Sequence, residues 1–365
     1  MPGLPAELDV AGRPVLVVGG GPEALGRIAQ LRVSGADVIV VAPSVAAAVV
    51  DLADRGLLRW ERRELLATDL DDVWLVVAAS GDPGIDQQVR DLADRRRLFS
   101  LVGSDTREAG SRETGPAGRV LLVGGGPGDP GLITVAGLAA VRSADVVITD
   151  RLAPLAVLAE VRPGAEIIDV AKIPHGRTTP QETINDLLIS RAKAGLTVVR
   201  LKGGDNFVFG RGGEEWLACA RAGIEVQVIP GVTSAIAAPA LAGIPLTHRT
   251  ANQGFTVITG HVPPGDPRST IDYASLARSG TALVVMMGVG TLGAIAAELI
   301  RHGLDPRTPA ATIADGTLPS QHLVRSTLAE ISAATEAAGI RPPAVTVIGS
   351  VAAFDPTEPS RGSWE

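Results

Sequence analysis

The stretch VVRLKGGDNFVFGRGGEE, Val198–Glu215, sets the fold class of the whole chain. A short β-branched run, Thr197 to Leu201, reads as a buried parallel strand, and Gly212-Gly213-Glu214-Glu215 opens a helix with acids in its first turn. The residues between, with three glycines at 203, 204 and 210 and with Lys202, Asp205 and Arg211 among them, form a loop at the carboxyl edge of a sheet. In open α/β sheets ligands bind at that edge, and glycine lets backbone approach where a Cβ would clash. Read as a lone acid, Asp205 is a turn or capping residue before it is a ligand contact.

Working outward, the same strand-into-glycine pattern starts two further units: VLVVGGGP at 15–22 and VLLVGGGP at 120–127. They diverge at once, into Glu23-Ala24-Leu25-Gly26 and Gly128-Asp129-Pro130-Gly131, so the chain is not a repeat array. The first unit continues with a helix over 24–34, strands over 37–42 and 73–79, a helix over 87–96 and a strand over 98–102, the alternation of a nucleotide-binding sheet. Residues 106–118, polar and rich in Gly, Thr, Glu and Arg, read as a linker. Beyond it, strands are expected near 119–123, 145–149, 166–170, 197–201 and 225–229. A second lobe is expected from about 250, with strands near 255–259, 281–286, 309–313 and 344–348. The predicted organisation is therefore a Rossmann-like domain over 1–105, a two-lobed α/β domain over 119–352 and a frayed tail over 353–365.

Composition limits the function classes. At 365 residues, with 45% hydrophobic and 20% charged residues, the chain can bury a core for two or three domains. A net charge of −7 and no Lys/Arg run give no reason to expect a nucleic-acid partner. One cysteine, Cys219, excludes an intramolecular disulfide and a cysteine-based metal cluster, and no metal is expected. The uncharged stretches 226–247 and 279–297 are broken by prolines or a Gly-Val-Gly turn, so no membrane span is expected and the chain is placed in the cytoplasm.

Taken in order, six motifs resemble the tetrapyrrole methylases, and within them the uroporphyrinogen-III C-methyltransferases that occur fused in sirohaem synthases. They are Val123 to Pro130, Asp145 through Asp150-Arg151-Leu152, Leu201 to Glu215, Pro230 to Ala235, Ala242 to Arg249, and Thr259-Gly260-His261. The resemblance implies two α/β lobes, usually a homodimer, and transfer of methyl groups from S-adenosyl-methionine to two ring carbons of uroporphyrinogen III, giving precorrin-2. Carried over residue by residue, it places Pro127, Gly203, Gly204, Asp205, Val208, Thr233, Ser234, Met287 and Gly316 on cofactor-contacting positions. It places Asp150 on the proton acceptor and Lys172 on the proton donor. As a bare Asp-Arg pair after a strand, Asp150-Arg151 would read as a turn or salt bridge. Departures are Asn206 where Pro is common, Leu241 where an aromatic is usual, and Met286 where Tyr is usual.

Such a substrate carries eight carboxylates. Residues 172–211 hold seven Lys/Arg against three acids, which reads as steering of a polyanion. Arg177, Lys202, Arg211, His248 and Arg249 are the substrate-binding candidates.

The front domain resembles the NAD-binding part of precorrin-2 dehydrogenase through Gly19-Gly20-Gly21, Gly35-Ala36 and Ala42-Pro43, making Gly19, Gly20, Gly21, Pro43 and Ser44 candidate NAD contacts. Glu23 replaces a usual Val there, and Gly26-Arg27 replace a usual Arg-Lys pair. The catalytic aspartate of that family aligns with Ser104 or Asp105, after which its dimerising and helical region is replaced by the short linker. The expectation is a truncated dehydrogenase remnant fused to a methyltransferase. Set against it are a bifunctional enzyme that also oxidises precorrin-2 with NAD, a later precorrin methylase of the cobalamin route, an oxidoreductase with the methylase as scaffold, and a catalytically silent tetrapyrrole binder.

Overall fold

The computed structural model describes residues 8–102, 118–170 and 179–355. By packing, the chain divides into two compact units, one of residues up to Gly125 with Ile133–Gly231, the other of Gly126–Leu132 with the residues from Val232 onward.

The first unit holds two parallel sheets. In the front sheet β1 (Pro14–Val18) leads through the glycine turn into α1 (Pro22–Val33), followed by β2 (Asp37–Val41), α2 (Ala47–Asp54), β3 (Arg59–Glu61), β4 (Leu75–Ala78), α3 (Pro83–Arg96) and β5 (Phe99–Val102). The strand order is β3-β2-β1-β4-β5, every pairing parallel, so the order reverses beside β1, where an open α/β sheet places its crevice. The second sheet is built from β6 (Arg119–Gly124), α4 (Val135–Ser143), β7 (Val146–Thr149), β8 (Glu166–Asp169), α5 (Gln181–Lys193), β9 (Thr197–Lys202), α6 (Gly212–Arg221) and β10 (Glu225–Ile229), ordered β10-β6-β9-β7-β8 and again all parallel. Near-continuous apolar strands such as Leu75–Ala78 and Val146–Thr149 are buried along their whole length, as parallel sheets covered on both faces require.

The other unit runs α7 (Ser234–Leu241), β11 (Phe255–Thr259), α8 (Tyr273–Ala277), β12 (Ala282–Met286), α9 (Leu292–Arg301), β13 (Pro309–Ala314), β14 (His322–Thr327), α10 (Ile331–Ala337) and β15 (Ala344–Ile348). Its sheet, β11-β12-β15-β13-β14, is parallel only between β11 and β12 and antiparallel elsewhere.

Two sequence expectations change here. The unit begins at Val232 rather than near 250, because Ala235, Ala238, Ile244 and Leu246 pack with Val284, Ile313 and Val347 in one core. The strand β14 was not foreseen, since HLVRST is a half-buried edge strand with little apolar run to mark it. The linker and tail expectations lie largely outside the described residues. Among the described residues no helix is long and apolar enough to cross a membrane.

Candidate active site

The carboxyl edge of the second sheet is closed by backbone against backbone. A Cβ on Gly124 would stand 2.5 Å from Gly231 N and 2.8 Å from Gly204 O, and one on Gly231 would stand 2.3 Å from Gly204 O. Gly204 takes φ +67°, and a Cβ on Gly203 would meet Leu152 O at 2.3 Å. The sequence reading assigned these glycines to close approach of a ligand. What the structure displays is close approach of the loops to one another, which fixes the β6, β7, β9 and β10 ends as one piece.

Asp205 completes the junction, accepting hydrogen bonds from Phe207 N at 2.8 Å and Gly231 N at 3.0 Å. Asn206, fully buried, donates its Nδ2 to Leu122 O at 3.0 Å and Ile229 O at 3.2 Å, so an amide tie between β6 and β10 stands where Pro was expected. Phe209 and Arg211 in the same loop hold φ of 56° and 57°, a conformation that costs side-chain-bearing residues of order 1 kcal/mol or more each and persists where surrounding contacts enforce it.

Beneath this edge lies an ion network that ties two of the candidates, Asp150 and Lys202, to two residues not foreseen from the sequence, Arg200 and Glu215. Arg200, on the central strand β9, donates Nε to Glu215 at 3.0 Å and a terminal nitrogen to Asp150 Oδ2 at 2.9 Å, and it also reaches the carbonyls of Ile148 and Leu201. Lys202 Nζ donates to both oxygens of Glu215 at 3.0 and 3.1 Å. Burial alone would push the Arg200 guanidinium down, but Asp150 and Glu215 outweigh it and hold it above its ordinary value. Burial, with the neighbouring Arg200 charge, pushes Lys202 down against the pull of Glu215. The clue was present: an arginine inside TVVRL, where every neighbour is apolar, needs a buried partner.

Asp150, one residue past β7, has both oxygens engaged, Oδ1 by Leu152 N at 3.1 Å and Oδ2 by Arg200, while its side chain stays 27% exposed. It is an oriented carboxylate open on one side. Lys202 is different: it was a substrate-binding candidate, yet it is buried and committed to Glu215. Arg211 is exposed and bonds Glu214 through two nitrogens at 2.8 and 2.6 Å. With Arg191 on Glu166 as well, much of the expected cationic surplus is paired internally, which weakens the steering argument. Lys172 and Arg177 lie outside the described residues, and Val208 is half-buried in the loop.

The remaining candidates belong to the other unit. Pro127 precedes Gly128, where a Cβ would touch Leu318 at 3.1 Å and Thr317 Oγ1 at 3.3 Å, and Asp129 N donates to Thr317 Oγ1 at 3.1 Å. Gly316, in the same turn, packs on Ala238 of α7, the helix that Thr233 caps through Ala235 N and Ser234 begins. Pro127, Thr233, Ser234 and Gly316 thus converge on linked loops. Met287 is half-exposed at φ 55° beside Gly288. His248 Nδ1 lies 3.0 Å from Thr250 Oγ1, and Arg249 is exposed.

At the front turn, a Cβ on Gly19 would strike Ala79 O at 2.1 Å, and one on Gly20 would strike Val45. Ala46 N donates to Gly20 O at 2.7 Å, laying the loop that carries Pro43 and Ser44 on the turn. Gly21 caps α1 with open space around it, which leaves room at a helix N-terminus for an anion. Glu23, however, stands in the first turn, its carboxyl 3.9 Å from a Cβ built on Gly81. The fold supplies the turn for a pyrophosphate; the charge opposes it.

Residues 119–332 match the sequence profile of the Tetrapyrrole (Corrin/Porphyrin) Methylases. This chain belongs to that family. Residues 7–110 match a second profile, described as putative NAD(P)-binding, leaving eight residues between the two matches. Siroheme synthase 1 of Klebsiella pneumoniae is 35% identical across 95% of this chain and 94% of its own length. The alignment spans 448 positions against a chain of 365, so at least 83 positions of that relative face a gap here. An S-adenosyl-L-methionine-dependent uroporphyrinogen III methyltransferase of Methanosarcina barkeri is 46% identical over 65% of the chain and 93% of its own. Among solved structures, a uroporphyrin-III C-methyl transferase of Thermus thermophilus complexed with S-adenyl homocysteine is 41% identical, with a TM-score of 0.54, over 64% of this chain and 93% of its own. As a tetrapyrrole methylase with an NAD-binding-type front domain, the chain has the α/β architecture expected from its sequence.

Proposed function

We propose that the protein is an S-adenosyl-methionine-dependent methyltransferase that C-methylates uroporphyrinogen III to precorrin-2. The observation that carries this reading is Asp150: a carboxylate fixed at both oxygens at a strand's carboxyl end, with one face open. When bound, S-adenosyl-methionine supplies an electrophilic methyl group on a sulfonium sulphur. Gly203, Gly204, Asp205 and Val208, with Pro127, Thr233, Ser234, Met287 and Gly316, are the residues to hold it. Within each unit the loops that carry them are already packed on their own neighbours, Gly203 on Leu152 and Gly204 on Gly231 in one, Gly316 on Ala238 in the other, so little ordering of either set of loops remains to be done on binding. Asp150 takes the proton that the ring carbon releases as positive charge develops on the methylated pyrrole. Arg200 keeps that carboxylate aimed. Lys172 as proton donor, and Arg177, Arg211, His248 and Arg249 as carboxylate contacts, complete the set, with Lys202 reassigned to supporting Glu215.

A second reading, a bifunctional siroheme synthase, is favoured by full-length similarity to such enzymes over 95% of the chain. The Glu23 carboxylate at the α1 N-terminus weighs against it, and no step is routed through NAD. A cytoplasmic homodimer is part of the same proposal.

The test is anaerobic incubation with uroporphyrinogen III and S-adenosyl-methionine, with and without NAD, followed by mass and absorbance. A gain of two methyl groups without NAD supports the methyltransferase. Oxidation to sirohydrochlorin on adding NAD establishes the bifunctional enzyme. No methyl gain refutes this substrate.

A further inference from the structure

The front domain and the methylase's first sheet share one compact unit, and the seam between them falls on the segment that carries Asp150. Helix α1 is buried on two sides. Ala24, Leu25 and Ile28 face its own sheet. On the other side, at helical spacing, lie Gly26, Ala29 and Gln30. Ala29 is fully buried in the methylase core with Leu121, Val123, Val157 and Leu158. A Cβ on Gly26 would meet Ile167 Cδ1 at 3.7 Å and the Leu158 carbonyl at 4.0 Å, in ordinary contact. Gln30 Nε2 donates to Ala159 O at 3.4 Å. Reciprocally, Leu155 and Ile167 pack against the front-domain core.

Of these contacts, Leu155, Val157, Leu158 and Ala159 lie on the short 3₁₀ helix Leu155–Glu160, which begins five residues after Asp150. The near end of the same segment is also held: Arg151 donates to Asp51 of α2 at 2.8 Å. Arg55, one turn on, donates to the other oxygen of Asp51 at 3.3 Å. The front domain therefore grips residues 151–160 at both ends, and Asp150 sits at the margin of the gripped segment.

We propose that the front domain is a brace for methyl transfer, with Asp51 as a positioning residue that acts through Arg151 on the Asp150 turn. This gives the domain a task independent of any dinucleotide chemistry. It also explains why α1 carries Gly26 and Ala29 on a face that an isolated domain would expose to water.

The experiment uses the full chain as Asp51→Ala, Asp51→Glu and Ala29→Glu variants, with Asp150→Asn as reference. It reads amide hydrogen exchange over residues 151–160 together with steady-state methyl transfer. In Asp51→Ala, exchange at 151–153 should quicken about tenfold and kcat fall about tenfold, because small misplacements of a reacting group are costly. The KM for S-adenosyl-methionine should hold, and Asp51→Glu should recover most of the loss. Ala29→Glu should loosen the whole of 151–160. Unchanged exchange in both Asp51→Ala and Ala29→Glu overturns the brace. So does faster exchange with unaltered kcat where Asp150→Asn abolishes turnover. If Ala29→Glu does not fold, Asp51→Ala decides alone, since that pair is partly exposed. The kinetic arm rests on the methyltransferase reading. If the wild type transfers no methyl, that reading falls and the exchange arm still decides the brace.

Discussion

The turns at 15–22 and 120–127 share all but one letter, and the structure makes different things of them. In both, the first glycine is pinned by the backbone of a neighbouring loop or strand end, Ala79 for Gly19, Gly204 and Gly231 for Gly124. Beneath the first turn β4 is wholly apolar, and an acid, Glu23, stands in the first turn of the helix with its carboxyl beside Gly81. Beneath the second lies a chain of paired charges, Asp150, Arg200, Glu215 and Lys202, of which Asp150 stays partly exposed. A strand running into three glycines specifies where loops may meet. Which chemistry follows is decided by side chains brought in from other strands and helices.

The largest effect that tests this contrast is on turnover. Asp150→Asn should lower methyl transfer about 10²–10⁴-fold, the range for a lost general base, while Glu23→Gln in the front turn should change it less than about twofold. An equal loss in both would dissolve the distinction. Arg200→Leu comes next: it leaves Glu215 and Asp150 short of their shared cation, and chemical denaturation should register a loss of about 3–5 kcal/mol. A loss under about 1 kcal/mol would mean the network is not desolvated in solution.

Third, Gly231→Ala forces a Cβ against Gly204 O and should cost about 2–3 kcal/mol with a loosened β9–α6 loop, while Gly21→Ala, in open space, should stay within about 1 kcal/mol. If the two cost the same, the interlocked junction is not there. The smallest effect concerns Cys219, on α6, whose thiol burial pushes up from 9.0 to about 11. The native state holds its proton where the unfolded chain gives it up. The associated stability is therefore complete below pH 9 and lost as pH rises through 11. Against Cys219→Ala, the wild-type Tm should fall more steeply between pH 9 and 11; parallel curves would contradict this burial.

Much of the fold was legible because buried parallel strands are short, apolar and followed by glycine. VLVV, VLLV and TVVRL announce themselves. β3, only Arg59–Glu61, and β14 were not, since edge strands need no apolar face, and antiparallel pairing in the last sheet leaves no mark on α/β alternation. In the candidate site, Asp150 and the glycine loop could be found because local sequence carries them. The Arg200–Glu215 pair, fifteen residues apart, could not be assigned, because which acid meets a buried arginine depends on tertiary packing. Lys202 misled for the same reason: a lysine at a strand end reads as surface until the helix behind it is seen to bring a carboxylate.

The junction of Gly124, Gly204 and Gly231 has a consequence for descent. Exposed side chains of the same loop and helix, such as Phe207 and Trp216, are open to replacement one at a time, each change tested on its own merits. The three glycines have no such freedom, because a Cβ on Gly124 or Gly231 intrudes on the backbone of the others, while Gly204 holds a left-handed φ that side-chain-bearing residues resist. In sequences descended from this one they should persist or vanish as a set. That makes the trio a marker of common loop architecture even where the surrounding chemistry has moved on.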